Sequence, residues 1–157
     1  MSRRMIIGGL FSRIDGTLCT PHLEVLDALT GEVLSEAPGG GFNGPVTAIA
    51  IDEAAQRIYV AGCFTEYNGT VVPAGLIRLN FDLEHDTDFE PPGFYVTAAS
   101  AYPVPTQLLL DDGYVYAIAS NTYTTFAKDA VHSRVVGKRA GLPKTKSLGS
   151  RACLKNW

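Results

Sequence analysis

The chain has 157 residues, 46% of them hydrophobic and 18% charged, with a formal net charge of −3. That is enough apolar material for one ordinary core, and the small net charge does not mark a chain built as a whole around a polyanion. No run of eighteen apolar residues occurs, so no transmembrane helix is expected, and the three apolar residues between Arg4 and Gly8-Gly9 are too few for the core of a signal peptide.

In chain order, Met5 to Phe11, Leu23 to Leu26 and Glu32 to Ser35 read as three short strands, with Thr30-Gly31 turning between the last two. Pro38-Gly39-Gly40-Gly41 is a joint. Val46 to Ile51 alternates large and small residues with period two. Ile58 to Phe64 is rich in β-branched and aromatic residues, and Asn68-Gly69 is the pair of a tight hairpin turn. Gly75 to Asn80 is a further strand. Asp82 to Glu90, with Phe89 as its one large apolar residue, is expected to be an outer, polar strand. Pro91-Pro92-Gly93 repeats the joint. Gln107 to Leu110 and Tyr114 to Ile118 then repeat the strand, turn, strand of 47–61 with two fewer residues in the turn, and after Ser120 the pattern is expected to stop.

Shifted by 53 residues, the chain matches itself. Ile6-Ile7-Gly8-Gly9 falls on Tyr59-Val60-Ala61-Gly62, Phe11 on Phe64, Gly16-Thr17 on Gly69-Thr70, and Leu23, Leu26 and Asp27 on Leu76, Leu79 and Asn80. A fixed period of this size points to stacked supersecondary units. The expected fold is all-β: four-stranded antiparallel blades of a β-propeller-like repeat, complete at 42–91 and partial at 5–39 and 94–120, together a domain of residues 1–127. The first unit is expected to be incomplete because no strand equivalent to 46–51 has room before Met5. Gly9, Phe11, Gly62 and Phe64 form a packing motif in which glycine admits a neighbouring backbone and phenylalanine fills the gap between sheets.

The run from Phe42-Asn43-Gly44 through Ile58 to Phe64, Tyr67-Asn68-Gly69, Ile77 to Asn80 and Asp86-Thr87-Asp88-Phe89 resembles the delta-60 repeat, a β-propeller-type repeat of bacterial surface proteins and of bacteriophage tail and virion proteins. The resemblance spans roughly residues 5–120. Two departures stand out: Ala61-Gly62-Cys63-Phe64 replaces the usual Gly-Gly-x-Phe. The turn that usually carries Asp-Gly reads Asp82-Leu83-Glu84, so a longer turn is expected there.

Residues 128–157 form a basic tail with eight basic residues and one acidic, a charge of +7, whereas residues 1–127 hold five basic and fifteen acidic, or −10. With several glycines and weak apolar periodicity the tail is expected to be loop-like unless a partner orders it. Lys138, Arg139, Lys144, Lys146 and Arg151 are its interaction candidates. A solvated terminus and docking on an acidic protein surface, such as that of a neighbouring copy, remain open, with nucleic acid the least favoured partner.

Chemistry is hard to find in this chain. Cys19, Cys63 and Cys153 are far apart, lack a Cys-x-x-Cys pair, and read as buried or half-buried thiols. His22, His85 and His132 have no metal-ligand neighbour in a strong pattern. Asp82, Asp86 and Asp88 form a weak candidate for Ca²⁺, set against the simpler reading of a charged edge strand. Nucleophile-elbow, phosphate-loop and dinucleotide motifs are absent. The expected protein is therefore a non-enzyme without cofactor.

Propeller rings close with about four to eight blades, so a chain with one complete blade is expected to complete its sheets with copies of itself or a larger partner. The resemblance adds a virion role in a tail, tail tip or fibre attachment, made in the host cytoplasm. The alternative is a glycan- or cell-surface-binding module using the loops Thr17–Pro21 and Val71–Gly75, with Tyr67, Tyr95, Tyr102 and Tyr123 as aromatic platforms.

Overall fold

A computed structural model describes residues 3–34, 40–89, 91, 104–111 and 113–119, and the backbone alone of 122–127 and 135–140. The fold is all-β, in small antiparallel sheets. Among the described residues no closed barrel or ring of blades is present, and no helix is long and apolar enough to cross a membrane.

The first unit consists of β1 (Arg4–Gly8), the short hairpin β2 (Arg13–Ile14) and β3 (Thr17–Leu18), and β4 (Leu23–Asp27). The second comprises β5 (Val46–Asp52), β6 (Arg57–Gly62), the hairpin β7 (Glu66–Tyr67) and β8 (Thr70–Val71), and β9 (Leu76–Asn80). In the third, β10 (Gln107–Asp111), β11 (Tyr114–Ala119), β12 (Thr122–Ala127) and β13 (Val135–Ala140) make a four-stranded meander. The pattern thus does not stop after Ser120. Ala119 pairs with Thr122 across a two-residue connection, and Val135–Ala140, expected to be loop-like, is a strand on β12.

The 53-residue repeat holds bond by bond. Every pair of β1 with β4, from Arg4↔Asp27 to Gly8↔Leu23, recurs 53 residues later in β6 with β9, from Arg57↔Asn80 to Ala61↔Leu76. Both hairpins turn through two left-handed residues, Asp15 and Gly16 (φ 47° and 81°) and Asn68 and Gly69 (φ 50° and 75°), the backbone of a type I′ turn, which matches the strand twist. The bond from His22 N to Phe11 O (2.9 Å) recurs as Gly75 N to Phe64 O (3.1 Å). Phe11 and Phe64 therefore occupy equivalent places, Phe11 half-buried and Phe64 buried.

The outer parts of the units depart from expectation. Among the described residues, 32–34 contribute one bridge, Leu26↔Val33, and 82–89 one bridge, Leu79↔His85, where strands were expected over Glu32 to Ser35 and Asp82 to Glu90. Local bonds compete with a ladder here: Asn80 Oδ1 accepts from Asp82 N (3.0 Å) and Glu84 N (2.9 Å), and Asp86 Oδ1 from Asp88 N (3.1 Å). The turn is tight, not lengthened. Leu83 takes the left-handed residue's place at φ 60°, and its N–H donates to Asn80 O (3.1 Å). A non-glycine residue there costs about 1–2 kcal/mol, offset by the buried Leu83 side chain and by the Tyr67 hydroxyl, which donates to Leu83 O (2.7 Å).

Two apolar clusters hold the sheets face to face. Leu23 and Val25 of the first unit meet Phe42, Val46, Ile58, Val60, Phe64, Tyr67, Ile77, Leu79 and Leu83 of the second. On the opposite face of β6 and β9, Tyr59, Ala61, Leu76 and Phe89 meet Leu108, Val115 and Ala117 of the third. Alternation along β6 sends Ile58 and Val60 one way and Tyr59 and Ala61 the other, so the middle sheet is apolar on both faces. Gly62 is a close approach: a Cβ there would collide with the Pro45 carbonyl oxygen and stand 2.9 Å from Val46 Cα. In the first unit the equivalent crowding falls at Gly8, where a Cβ would meet Val46 and Ile49, while one at Gly9 would meet only the Phe11 ring, at 3.2 Å.

Candidate functional site

The segment 80–89 shows what its carboxylates do. Asp82 lines a half-open cavity between the first two sheets, whereas Asp86 and Asp88 line a polar cleft with Gln56, Arg57 and His85, so the three candidate Ca²⁺ ligands are not brought together. No group of three or more His, Cys, Asp or Glu able to hold a metal occurs among the described residues. Asp86 is engaged by cations already: its Oδ2 accepts from Arg78 Nε (3.0 Å) and is paired with Arg57. The buried Arg78 guanidinium in turn lies 5.1 Å over the centroid of the Phe89 ring, which meets Tyr59 edge-on (5.4 Å, 81°). Phe89 is 0% exposed. It is a plug between the second and third sheets, and the ion pair holds its carrier segment in place, which corrects the expected outer strand.

The first interface is aromatic too. Phe42 lies 4.3 Å from Phe64 and 4.5 Å from Tyr67, centroid to centroid. Tyr67 is 2% exposed, and burial pushes its hydroxyl up to about 12. It is thus a core residue and offers no platform for a sugar. Tyr95 and Tyr102 lie outside the described residues, and Tyr123 is described by its backbone alone. The loops expected to recognise ligands expose aliphatic side chains at equivalent hairpin positions, Leu18 (70%) and Val71 (78%).

The first two sheets do not close fully on one another. Ile6 and Val25 stand where the repeat places Tyr59 and Arg78. A half-open cavity of about 680 Å³ remains, lined by Ile6, Val25, Ile51, Ile58, Phe81 and Leu83, with Arg4, Glu53 and Asp82 also contributing.

Three polar positions were not legible as special. Glu24 is buried at the place of Ile77, its carboxylate accepting from Thr20 N (2.8 Å) and Val25 N (2.9 Å). His22 occupies the left-handed position of Gly75 (φ 67° against 82°). Its ring Nδ1 lies 3.2 Å from Gly9 O, and burial lowers its pKa, with that contact acting in the opposite direction. Cys63, read as a thiol, is disulfide-bonded. Cys19 is free, its thiol raised by burial and by the Glu24 carboxylate. Of the tail candidates, Lys138 and Arg139 lie on β13, in register with Thr124 and Tyr123. Lys144, Lys146 and Arg151 lie outside the described residues.

A scan against protein-family models finds no match to the chain, and no curated protein matches it.

Proposed function

We propose that this chain is a non-catalytic structural component of a larger assembly, built from propeller-like blades that copies of itself or a larger partner complete, and that the assembly is a phage virion, at the tail, tail tip or fibre attachment. The observation that carries the reading is the register-preserving 53-residue repeat, whose sheets stack face to face with apolar residues on both sides of the middle one. Units of this kind bury their faces only by stacking on neighbours. The aliphatic hairpin tips, Leu18 and Val71, favour a protein surface over the hydroxyls of a glycan. The virion setting rests on the resemblance to the delta-60 repeat.

The test is to tag the chain within phage particles and locate the tag by electron microscopy. The proposal expects label at the tail or its tip, in a fixed copy number. Label absent from purified particles, with the protein present in the infected cell, contradicts the virion role.

A further inference from the structure

The strand β1 is built like β6 but is not covered like it. In the second unit β5 lies along one edge of β6 and β9 along the other. In the first, β4 takes the place of β9, and among the described residues no strand pairs with the remaining edge of β1.

The direction of the peptide groups is set by the bonds to the first sheet's own strand. Gly9 N donates to His22 O (3.1 Å) and Ala28 N to Arg3 O (2.7 Å). Alternation therefore turns the peptide groups of Met5 and Ile7 toward β4 and those of Ile6 and Gly8 toward the other edge. Their counterparts, Tyr59 and Ala61, pair with Ala50 and Ala48 of β5. The repeat thus shows what such an edge accepts: an antiparallel strand alternating small and large apolar residues.

One difference changes the fit. Directly opposite residues of an antiparallel pair project to the same face. In the second unit, alanine lies opposite the bulky Tyr59. In the first, Ile6 takes the place of Tyr59 and lines the cavity of about 680 Å³, so a strand residue opposite Ile6 would project toward that space.

We propose that the outer edge of β1 is the docking site for an antiparallel strand of a partner protein that alternates small and large apolar residues and sets an aromatic side chain opposite Ile6, into the cavity between the first two sheets. Strand addition to an exposed edge combines main-chain bonds for affinity with side-chain pockets for specificity. The inference rests on the assembly reading and names the chemistry of the partner.

The test uses the full chain and two capped peptides, one copying residues 46–52 and one copying them with Ala50→Phe. The proposal expects the phenylalanine peptide to bind about tenfold more tightly, from its additional buried apolar surface. It also expects amide exchange to slow at Ile6 and Gly8 while Met5 and Ile7 are unchanged. Ile6→Tyr, which restores the residue of the second unit, is expected to reverse the preference. Equal affinities, or slowed exchange elsewhere but not at Ile6 and Gly8, overturn the proposal. Self-association of the chain abolished by the phenylalanine peptide places a second copy on this edge and overturns the choice of a partner protein. A chain that assembles but docks neither peptide loses the strand site and keeps the assembly reading. A chain that docks the peptide yet remains monomeric and absent from every particle keeps the site and loses that reading.

Discussion

Phe89 decides between two accounts of the segment after β9. On the surface of an outer strand, Phe89→Ala would change stability by no more than about 0.5 kcal/mol. As the plug between the second and third sheets, fully buried against Tyr59 and under Arg78, it costs about 3–5 kcal/mol, the transfer and cavity terms of a buried phenylalanine together. The edge-on contact with Tyr59 and the cation over the ring, each on the order of 1 kcal/mol, place it in the upper part of that range. With a urea m-value of about 2 kcal/mol/M, the unfolding midpoint falls by about 2 M. Phe89→Leu keeps most of the volume and is expected to cost about 1–2 kcal/mol. The assay is urea unfolding followed by circular dichroism, with m compared to confirm that the transition is unchanged. A loss below about 1 kcal/mol for Phe89→Ala refutes the plug.

Tyr67→Phe removes the hydroxyl from Leu83 O and is expected to cost about 1–2 kcal/mol. Tyr67→Ala approaches Phe64→Ala at about 3–5 kcal/mol, because both rings are buried; the same urea titration ranks them. Asp86→Asn loosens the grip of Arg57 and Arg78, with an expected loss of about 2–3 kcal/mol. His22 has a folded pKa below its ordinary value, so the unfolded chain takes up the proton more readily. Stability is present above the unfolded pKa and falls as pH drops toward the lowered one, and His22→Gly is expected to flatten that slope in thermal melts between pH 7 and 5. Replacing Lys144, Lys146 and Arg151 together by glutamine removes three basic charges of the tail and leaves the length of the chain and its cysteines unchanged. If the tail docks on an acidic surface, sedimentation of this variant loses the salt dependence of the full chain.

The repeat was legible because its units keep one spacing: the strand, the Asn68-Gly69 turn and the returning strand recur as Ile6, Asp15-Gly16 and Leu23 in the same register. The destination of Phe89 was hidden by its neighbours, since a polar run with one aromatic reads alike whether it pairs as an edge strand or folds back through side-chain bonds to Asn80 and Asp86. Leu83 gave no turn signal because glycine is the usual marker of a left-handed residue. The strands β12 and β13 escaped because the third unit joins Ala119 to Thr122 directly, without the hairpin that sets the 53-residue spacing in the other two. Tyr67 passed for a surface residue because it lies beside a hairpin turn, yet its ring packs on Phe42.

Completion of blades by other chains is the central claim, and the mass of the purified chain in solution tests it most directly. Sedimentation equilibrium over a wide range of concentration, alone and with lysate of phage-infected host, is expected to show a closed oligomer or a defined larger complex, insensitive to salt where apolar sheet faces hold it. A chain of 16.8 kDa that sediments as a monomer throughout, with no shift in the presence of that lysate, contradicts the account.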